Sequence, residues 1–511
     1  MSEKMAAPAL LPHPIRLSPL EGFMPRGYVR QIYCFPTSNL LAISTLSRGL
    51  AGLARDVPCV LSRIVIDKSG TGSAVAVSTQ CHDPEDIFSS RDLSDSINYA
   101  TLKAEYFPPG AFLAPGIIPP DTLPPYPASP AVFLARASLV KGGLILCVAV
   151  HHVVIDITGF DVLLKIWAAH CRAGSSRDIG FDASWIDRSP LFSASSSPKL
   201  ASMPKLLHIR SPEESARLAG RARVSGTGQR DYQTGIFYFP HQQLRALKDA
   251  VNTYIASQEP GSWVSTSNIL SSLLWSAILE AEGNPTPLGT DEVATHTDER
   301  ISTLSFPVQF RSILNPPLPR DFLGAAFLMT SAKVLYSDIC LISRPGPNSE
   351  AATQDQKAKL ESQAPEIAVN SVDIPALARV ALAIRKSTQD LDDAAVRQVL
   401  AYLEAHMNIN LEAPLILGPP RINAGGSGTS VVSWADQHVY EFDWGDAIGR
   451  CDTVRLPKMG YKRDPIVLPR VPNRNGDNGG LEVVMSYEGN IMQKLIEGRI
   501  MRRFAILRCL S

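Results

Sequence analysis

Apolar and polar positions follow two periods along this chain, and the change from one to the other is sharpest near residue 150. Residues 144–150 are all apolar, and Ile145, Val148 and Val150 are β-branched, which predicts a strand buried on both faces. Beyond Gly159 the period becomes helical: Phe160, Leu163, Leu164, Trp167, Ala168 and Cys171 form one stripe. Between strand and helix stands His151-His152-Val153-Val154-Ile155-Asp156. If the alternation of the strand continues, His152 follows Leu146, Val148 and Val150 on one face, and His151 follows Cys147 and Ala149 on the other.

The same periods predict strands at residues 28–34, 74–78 and 132–138 and a helix at 40–53. The proline-rich stretch 108–130 suits neither, and reads as a loop over the surface or a cavity rim. A strand is expected at 232–239, followed by helices at 241–258, 374–386 and 390–406. The last part predicts strands at 431–434, 439–442 and 481–485, a short helix at 490–498 and a final strand at 504–507. Residues 189–231, with small polar clusters at 193–197 and 225–228, read as a solvated crossover, and 343–371 as a disordered insertion. The expected fold class is α/β, with helices and strands mixed in both halves. Residues 1–188 form an N-terminal domain, 189–231 the crossover and 232–511 a C-terminal domain.

Composition narrows the partners. Lys+Arg and Asp+Glu are equal at 49 each, so no basic field marks the chain for nucleic acid or for an anionic membrane. Charged residues make up 19%, below the roughly 25% of soluble domains, which leaves room for contact surfaces and cavity walls. The eight cysteines include no CxxC pair, the usage of a reduced intracellular protein and not of a disulfide framework or zinc site. Residues 1–16 lack the long apolar region of a secretory signal, and no apolar run reaches membrane-spanning length, so a soluble cytoplasmic protein is expected.

A histidine at the mouth of a buried strand, with a carboxylate four residues on, suits a base aimed into a cavity and an acid holding its surroundings. Spacing alone is not enough. His82-Asp83-Pro84-Glu85-Asp86 repeats the His-x-x-x-Asp spacing in a polar, proline-broken stretch with no strand feeding it. The local pattern therefore leaves two readings of His152: a base, or a hydrogen-bonded packing element. No metal site is expected, because adjacent strand histidines point to opposite faces and no third nitrogen or sulfur ligand stands out.

Further segments widen the pattern. Tyr440-Glu441-Phe442-Asp443-Trp444-Gly445 is followed by Gly449 and by Val454-Arg455, and Ser433-Trp434 stands just upstream. Ser265-Thr266-Ser267-Asn268-Ile269-Leu270 runs on to Trp275, and Phe310-Arg311-Ser312 precedes Pro316-Pro317-Leu318-Pro319. In this order and spacing, together with His152 and Asp156, they resemble the BAHD coenzyme A-dependent acyltransferases (HHxxxD and DFGWG motifs). The fungal form of the DFG-like element is similar to that of the trichothecene 3-O-acetyltransferase-like members.

The resemblance implies two chloramphenicol-acetyltransferase-like domains joined by a long crossover, with an active-site channel at their interface. Acyl-coenzyme A, with acetyl as the expected group, would be a co-substrate and not a permanently bound cofactor. The acceptor would be a hydroxyl of a small secondary metabolite (a terpenoid, polyketide or alkaloid), and the enzyme a monomeric O-acyltransferase. His152 would be the general base, with no acyl-enzyme. Asp156 would pair with an arginine, for which Arg311 is the candidate, and Gly159 would support the same corner. Asp443, Trp444 and Gly445 would lie away from the histidine, structural or on the cofactor side, with Trp444 a packed aromatic. The chain departs from the pattern at Ile157 for the usual Gly, Trp444 for Phe, Asn268 for Asp, and Ala325 for the Asn that follows Gly324. A β-branched Ile157 resists positive φ, so that turn must run through ordinary backbone angles. A carrier-protein-dependent condensation-type acyltransferase and a non-catalytic binding protein on the same scaffold remain as alternatives.

Overall fold

The computed structural model describes residues 15–67, 74–124, 127–173, 181–192, 203–209, 231–283, 301–339, 372–406, 415–417, 428–458, 463–472 and 479–511. The strand expected at 144–150 is Gly143–His151, and every residue in it is buried. It is the middle of a five-stranded sheet ordered Thr453–Arg455, Tyr28–Phe35, Gly143–His151, Phe133–Val140, Phe88–Asp92, with only the last pair parallel. On one face Leu146, Val148 and Val150 share a core with Leu46 and Leu50 of the helix Leu41–Asp56 and with Leu163, Leu164 and Trp167 of the helix Ile157–Ala173. On the other face Ile145 and Cys147 meet Tyr99, Phe107, Phe112 and Ile117. The proline-rich stretch is thus a packed cover, with short turns at Pro109–Leu113 and Pro120–Thr122. That cover explains why a largely antiparallel sheet carries a continuous apolar strand, a pattern more usual where helices lie on both faces.

The second half is built on a five-stranded sheet ordered Val432–Ser433, Arg463–Val467, Leu481–Glu488, Tyr232–Phe239, Ile506–Leu510. A three-stranded sheet, Phe327–Leu335, Ile301–Gln309, Gly428–Ser430, adjoins it. Residues 428–433 join the two sheets, running parallel first to Ile301–Gln309 and then to Arg463–Val467, with Val431 N–H donating to Ser305 O at 3.0 Å between them. The helices His241–Gln258, Thr266–Glu282 and Ile374–Gln389 share the apolar core of this half, where Trp275 is fully buried and its Nε1 donates to Ser302 Oγ at 2.9 Å.

Thr453–Arg455 comes from the second half of the chain yet forms the edge of the first sheet, pairing with Tyr28–Phe35. Its last residue ties the two sheets together. Buried Arg455 donates to both carboxylate oxygens of buried Glu482 at 2.7 and 3.2 Å, and its Nε and Nη2 donate to Tyr106 O at 3.2 and 3.0 Å. Arg508 Nη1 adds a bond to Glu482 at 2.9 Å. Burial works to raise the Glu482 carboxyl, and the two guanidiniums outweigh it and hold it below its ordinary range.

Two expected strands differ. Residues 439–442 run through turns, with Glu441 N–H bonded to His438 O at 2.8 Å. Val439 and Tyr440 are both buried although they are consecutive, so their apolar character reflects enclosure on two sides and not a pleat. Phe504 ends the helix Arg499–Phe504, and the last strand is Ile506–Leu510. Of the crossover, residues 193–202 and 210–230 lie outside the described residues, as does the expected insertion 343–371. Among the described residues no helix is long and apolar enough to cross a membrane.

Candidate active site

The strand Gly143–His151 stops where its two histidines part. His151 stays inside, 2% exposed, with its backbone N–H on Val132 O at 2.9 Å. Its ring meets the edge of Tyr28 at 5.0 Å, and its Nδ1 accepts from Val153 N–H at 3.4 Å. Burial, then the neighbouring His152 and Arg26, push its pKa down to about 4. His151 is therefore a neutral packing group at physiological pH. His152 is half-buried and lines a cavity of about 2140 Å³. Its backbone N–H donates to Gly27 O at 2.8 Å, and its ring stands 6.0 Å from that of Phe327 at a 36° tilt. Val153, Val154 and Ile155 are buried behind it and plug the turn into the core.

Asp156 closes this turn and opens the helix Ile157–Ala173. It is buried, and Arg311, also buried, donates to it twice: Nη1 to Oδ2 at 2.8 Å and Nη2 to Oδ1 at 2.7 Å. Gly159 N–H and Ala326 N–H bond the same carboxylate at 2.9 Å each. Four donors match the lone-pair sites of a carboxylate, so this group is fully engaged in holding the corner. Burial alone would raise its pKa; Arg311 and the two amides outweigh burial and hold it low. Gly159 is needed for close approach, since a Cβ there would lie 2.9 Å from Ile155 Cγ2 and 3.3 Å from Leu323 Cα. Ile157 is the first residue of the helix, and among the described non-glycine residues positive φ occurs only at Tyr106 and Phe107. The turn does run through ordinary backbone angles, and Ile157 lines the cavity.

The cavity lies between the two halves: Tyr28, His152 and Ile157 line it from one side, and Gln309, Phe327 and Ser433 from the other. Ligand pockets usually span about 300–1,000 Å³, so this one is larger than a single small ligand requires. A second imidazole faces it. His438 Nδ1 lies 2.9 Å from Asp161 Oδ2, and His438 N–H bonds the same carboxylate at 3.0 and 3.2 Å.

Asp443, Trp444 and Gly445 do not line this cavity. Asp443 Oδ1 accepts from Gly445 N–H at 3.0 Å, and Trp444 N–H bonds Gly449 O at 3.0 Å. Trp444 is fully buried, edge-on to Trp167 at 5.5 Å and Phe35 at 5.7 Å. Gly445 has φ +84°, and a Cβ there would lie 3.1 Å from Arg172 Cα, at the end of the helix Ile157–Ala173. This segment pins the far end of the helix whose near end carries Asp156. At the other departures, Asn268 caps the helix Thr266–Glu282 reciprocally with Ser265, and Ala325 uses only its backbone, donating to Glu21 Oε1 at 3.1 Å.

Sequence reasoning missed Glu21, Arg188 and the Asp161–His438 pair. For Glu21 a signal existed: Ser18-Pro19-Leu20-Glu21 has the capping-box spacing, and both of its bonds form. For the others the partners lie too far apart in the chain for any local pattern to show them.

The comparisons with known proteins concern the family and the fold. Residues 28–171 match the trichothecene 3-O-acetyltransferase-like N-terminal domain, and residues 118–497 match the Transferase family. The O-acetyltransferase ptmV of Penicillium ochrochloron is 23% identical over 526 residues, covering 96% of this chain and 96% of its own. The O-acetyltransferase astG of Aspergillus oryzae is 24% identical, covering 85% of this chain and 90% of its own. In fold, the chain is similar to TRI101 of F. sporotrichioides, whose crystal structure is a complex with coenzyme A and T-2, with a TM-score of 0.68 at 18% identity over 97% of this chain and 99% of that one. The family match takes in the His152 corner, Arg311 and the Asp443 segment, about three quarters of the sequence, and on that span the chain belongs to the Transferase family, the BAHD-type acyltransferases.

Proposed function

We propose that this enzyme moves an acyl group, acetyl in the first instance, from coenzyme A to a hydroxyl of a small secondary metabolite, with His152 as general base. The observation that carries the reading is His152 itself, partly exposed to a cavity wide enough for donor and acceptor together and walled by both halves of the chain. Residues 1–188 and 232–511 act as its two walls. Relatives named as O-acetyltransferases in Penicillium and Aspergillus support the acetyl group and an oxygen acceptor, here taken as the hydroxyl of a terpenoid, polyketide or alkaloid. The co-crystallised coenzyme A of TRI101 supports the donor. Arg26, Arg320 and Arg470 are among the cations that line the cavity and could meet the donor's phosphates. The protein works as a cytoplasmic monomer.

The imidazole of His152 takes the proton of the acceptor hydroxyl as its oxygen attacks the thioester carbonyl. The tetrahedral intermediate collapses, the carbon–sulfur bond breaks, and the coenzyme A thiolate leaves with the proton returned by the imidazolium. No acyl-enzyme forms, because the attacking oxygen belongs to the acceptor. Holding both substrates in one cavity makes the attack intramolecular in effect, worth up to about 7–11 kcal/mol, and proton transfer adds a factor on the order of 10²–10⁴. Asp156 and Arg311 hold the corner and Gly159 lets it close; Asp443, Trp444 and Gly445 pin the helix behind it.

Calorimetric titration with acetyl-coenzyme A and free coenzyme A, on wild type and His152→Ala, tests this reading. Saturable binding that survives the substitution, with transfer to hydroxylated acceptors lost, is the expected result. No binding by folded protein would overturn the coenzyme A donor and favour a carrier-protein donor instead.

A further inference from the structure

Behind the histidine corner, residues 322–326 lead directly into the strand Phe327–Leu335, whose first ring faces His152 across the cavity. Two buried ion pairs hold this segment. One is Asp156–Arg311, whose Nη2 also donates to Phe322 O at 3.1 Å and Gly324 O at 2.9 Å. The other is Glu21–Arg188, at 3.3 Å, with both side chains almost completely buried. Glu21 Oε1 accepts from Ala325 N–H at 3.1 Å, and its Oε2 from Ser18 N–H at 2.7 Å. Arg188 Nη2 donates to Leu323 O and also to Val154 O, each at 3.3 Å, while its Nη1 holds Ile186 O at 2.7 Å. One guanidinium therefore touches both the turn that carries His152 and the segment that carries Phe327. The packing leaves no slack: a Cβ on Gly324 would lie 2.9 Å from Glu21 Oε1.

We propose that Glu21 and Arg188 are a positioning pair for His152, setting the separation between the base and the cavity wall it faces. This rests on the reading of His152 as the base. Arg311 fixes the carboxylate end of the turn, four residues past the histidine; Arg188 fixes its middle, at Val154, and ties it to the opposite half. Arg188 reaches four acceptors, Ile186 O from Nη1 and the other three from Nη2. The planar guanidinium holds its two nitrogens in a fixed relation, whereas an ammonium with three N–H groups would leave at least one acceptor unserved. Misplacing a reacting group by about 1 Å costs on the order of 10²-fold, so a loosened turn lowers turnover with substrate affinity little changed.

The double variant Glu21→Gln/Arg188→Met removes both charges together and so avoids stranding one in the core, and Arg188→Lys keeps the charge but not the fork. Both are compared with wild type by thermal melting, steady-state kinetics and amide hydrogen exchange of residues 152–156 and 322–326. Expected are a folded double variant with kcat lowered about 10–100-fold, KM for donor and acceptor within about threefold, and partial recovery of kcat in Arg188→Lys. Exchange in both segments rises at least about tenfold. Unchanged exchange in a folded variant overturns the proposal, whatever the acceptor. Faster exchange with kcat unchanged overturns it too. A wild type with no transferase activity would instead defeat the reading of His152 as a base, while the exchange data still judge the pair.

Discussion

The chain carries the His-x-x-x-Asp spacing twice, and the two copies are built by different forces. At His82–Asp86 the spacing is that of a helix start: Asp83 caps Pro84–Ile87, and Asp86 reaches back to Asp83 N–H at 3.2 Å. Asp86 is 62% exposed, stands 3.7 Å from His82 Nδ1, and shares a small cavity of about 310 Å³ with Arg63 and Asp121. At His152–Asp156 the acid is buried and reaches 155 residues along the chain to Arg311. A motif whose acid bonds locally is a piece of helix capping. A motif whose acid leaves its own neighbourhood is a joint between two halves, with the histidine set at its opening.

The sharpest way to break this comparison is to remove each histidine. His152→Ala should lower turnover by about 10²–10⁴-fold in steady-state assays, whereas His82→Ala should leave it within about twofold. Equal losses would end the distinction. Next come the acids. Asp156→Ala strands the Arg311 charge in the core and should cost about 3–5 kcal/mol in urea unfolding, while exposed Asp86→Ala should cost about 0.5 kcal/mol.

Acid titration sharpens the contrast within the corner. The His151 pKa is about 4 in the folded chain and its ordinary value is near 6.5, so between these the unfolded state binds the proton first. Stability must fall as pH drops from about 6.5 to about 4, by on the order of 3 kcal/mol, and unfolding of His151→Gln at both pH values should show a flatter profile. His82 is also pushed down, by burial and by Arg63, but it is less enclosed and its share should be smaller. Below that window Asp156 takes over, because its carboxyl is held low and protonating it releases Arg311. The smallest effect concerns the other motif. Gly445→Ala must adopt φ +84° against Arg172, and should cost about 1–2 kcal/mol in thermal unfolding with turnover per folded molecule unchanged, since Gly445 does not line the cavity.

Much of this molecule is legible where periodicity and enclosure coincide. The strand ending at His151 and the stripe of the helix after it follow from their periods alone, because the strand is covered on both sides; the alternation stops before His152, which lies in the turn. Residues 439–442 mislead for the opposite reason: Val439 and Tyr440 are apolar because they are enclosed, but the backbone there turns. Glu21 and Arg188 escaped because a buried ion pair between distant residues leaves no period, and a charged residue reads as surface unless its partner is known. The edge strand Thr453–Arg455 was likewise hidden. Three residues are too few to show a pattern, and their neighbour in the sheet lies near the other end of the chain.

That edge strand has a consequence for how the protein is made. A ribosome delivers Tyr28–Phe35 long before residues 453–455, with a delay on the order of 20–80 s at ordinary elongation rates. Throughout that time one side of Tyr28–Phe35 presents unpaired backbone groups, the kind of edge that recruits strands from other chains. Arg455 and Glu482 also arrive late, so the two sheets are bolted together only after the first has received its last strand. The wall that Asp464, Ile466 and Arg470 give to the cavity of His152 also comes late, and a nascent chain stopped short of residue 455 exposes a sticky edge and lacks that wall.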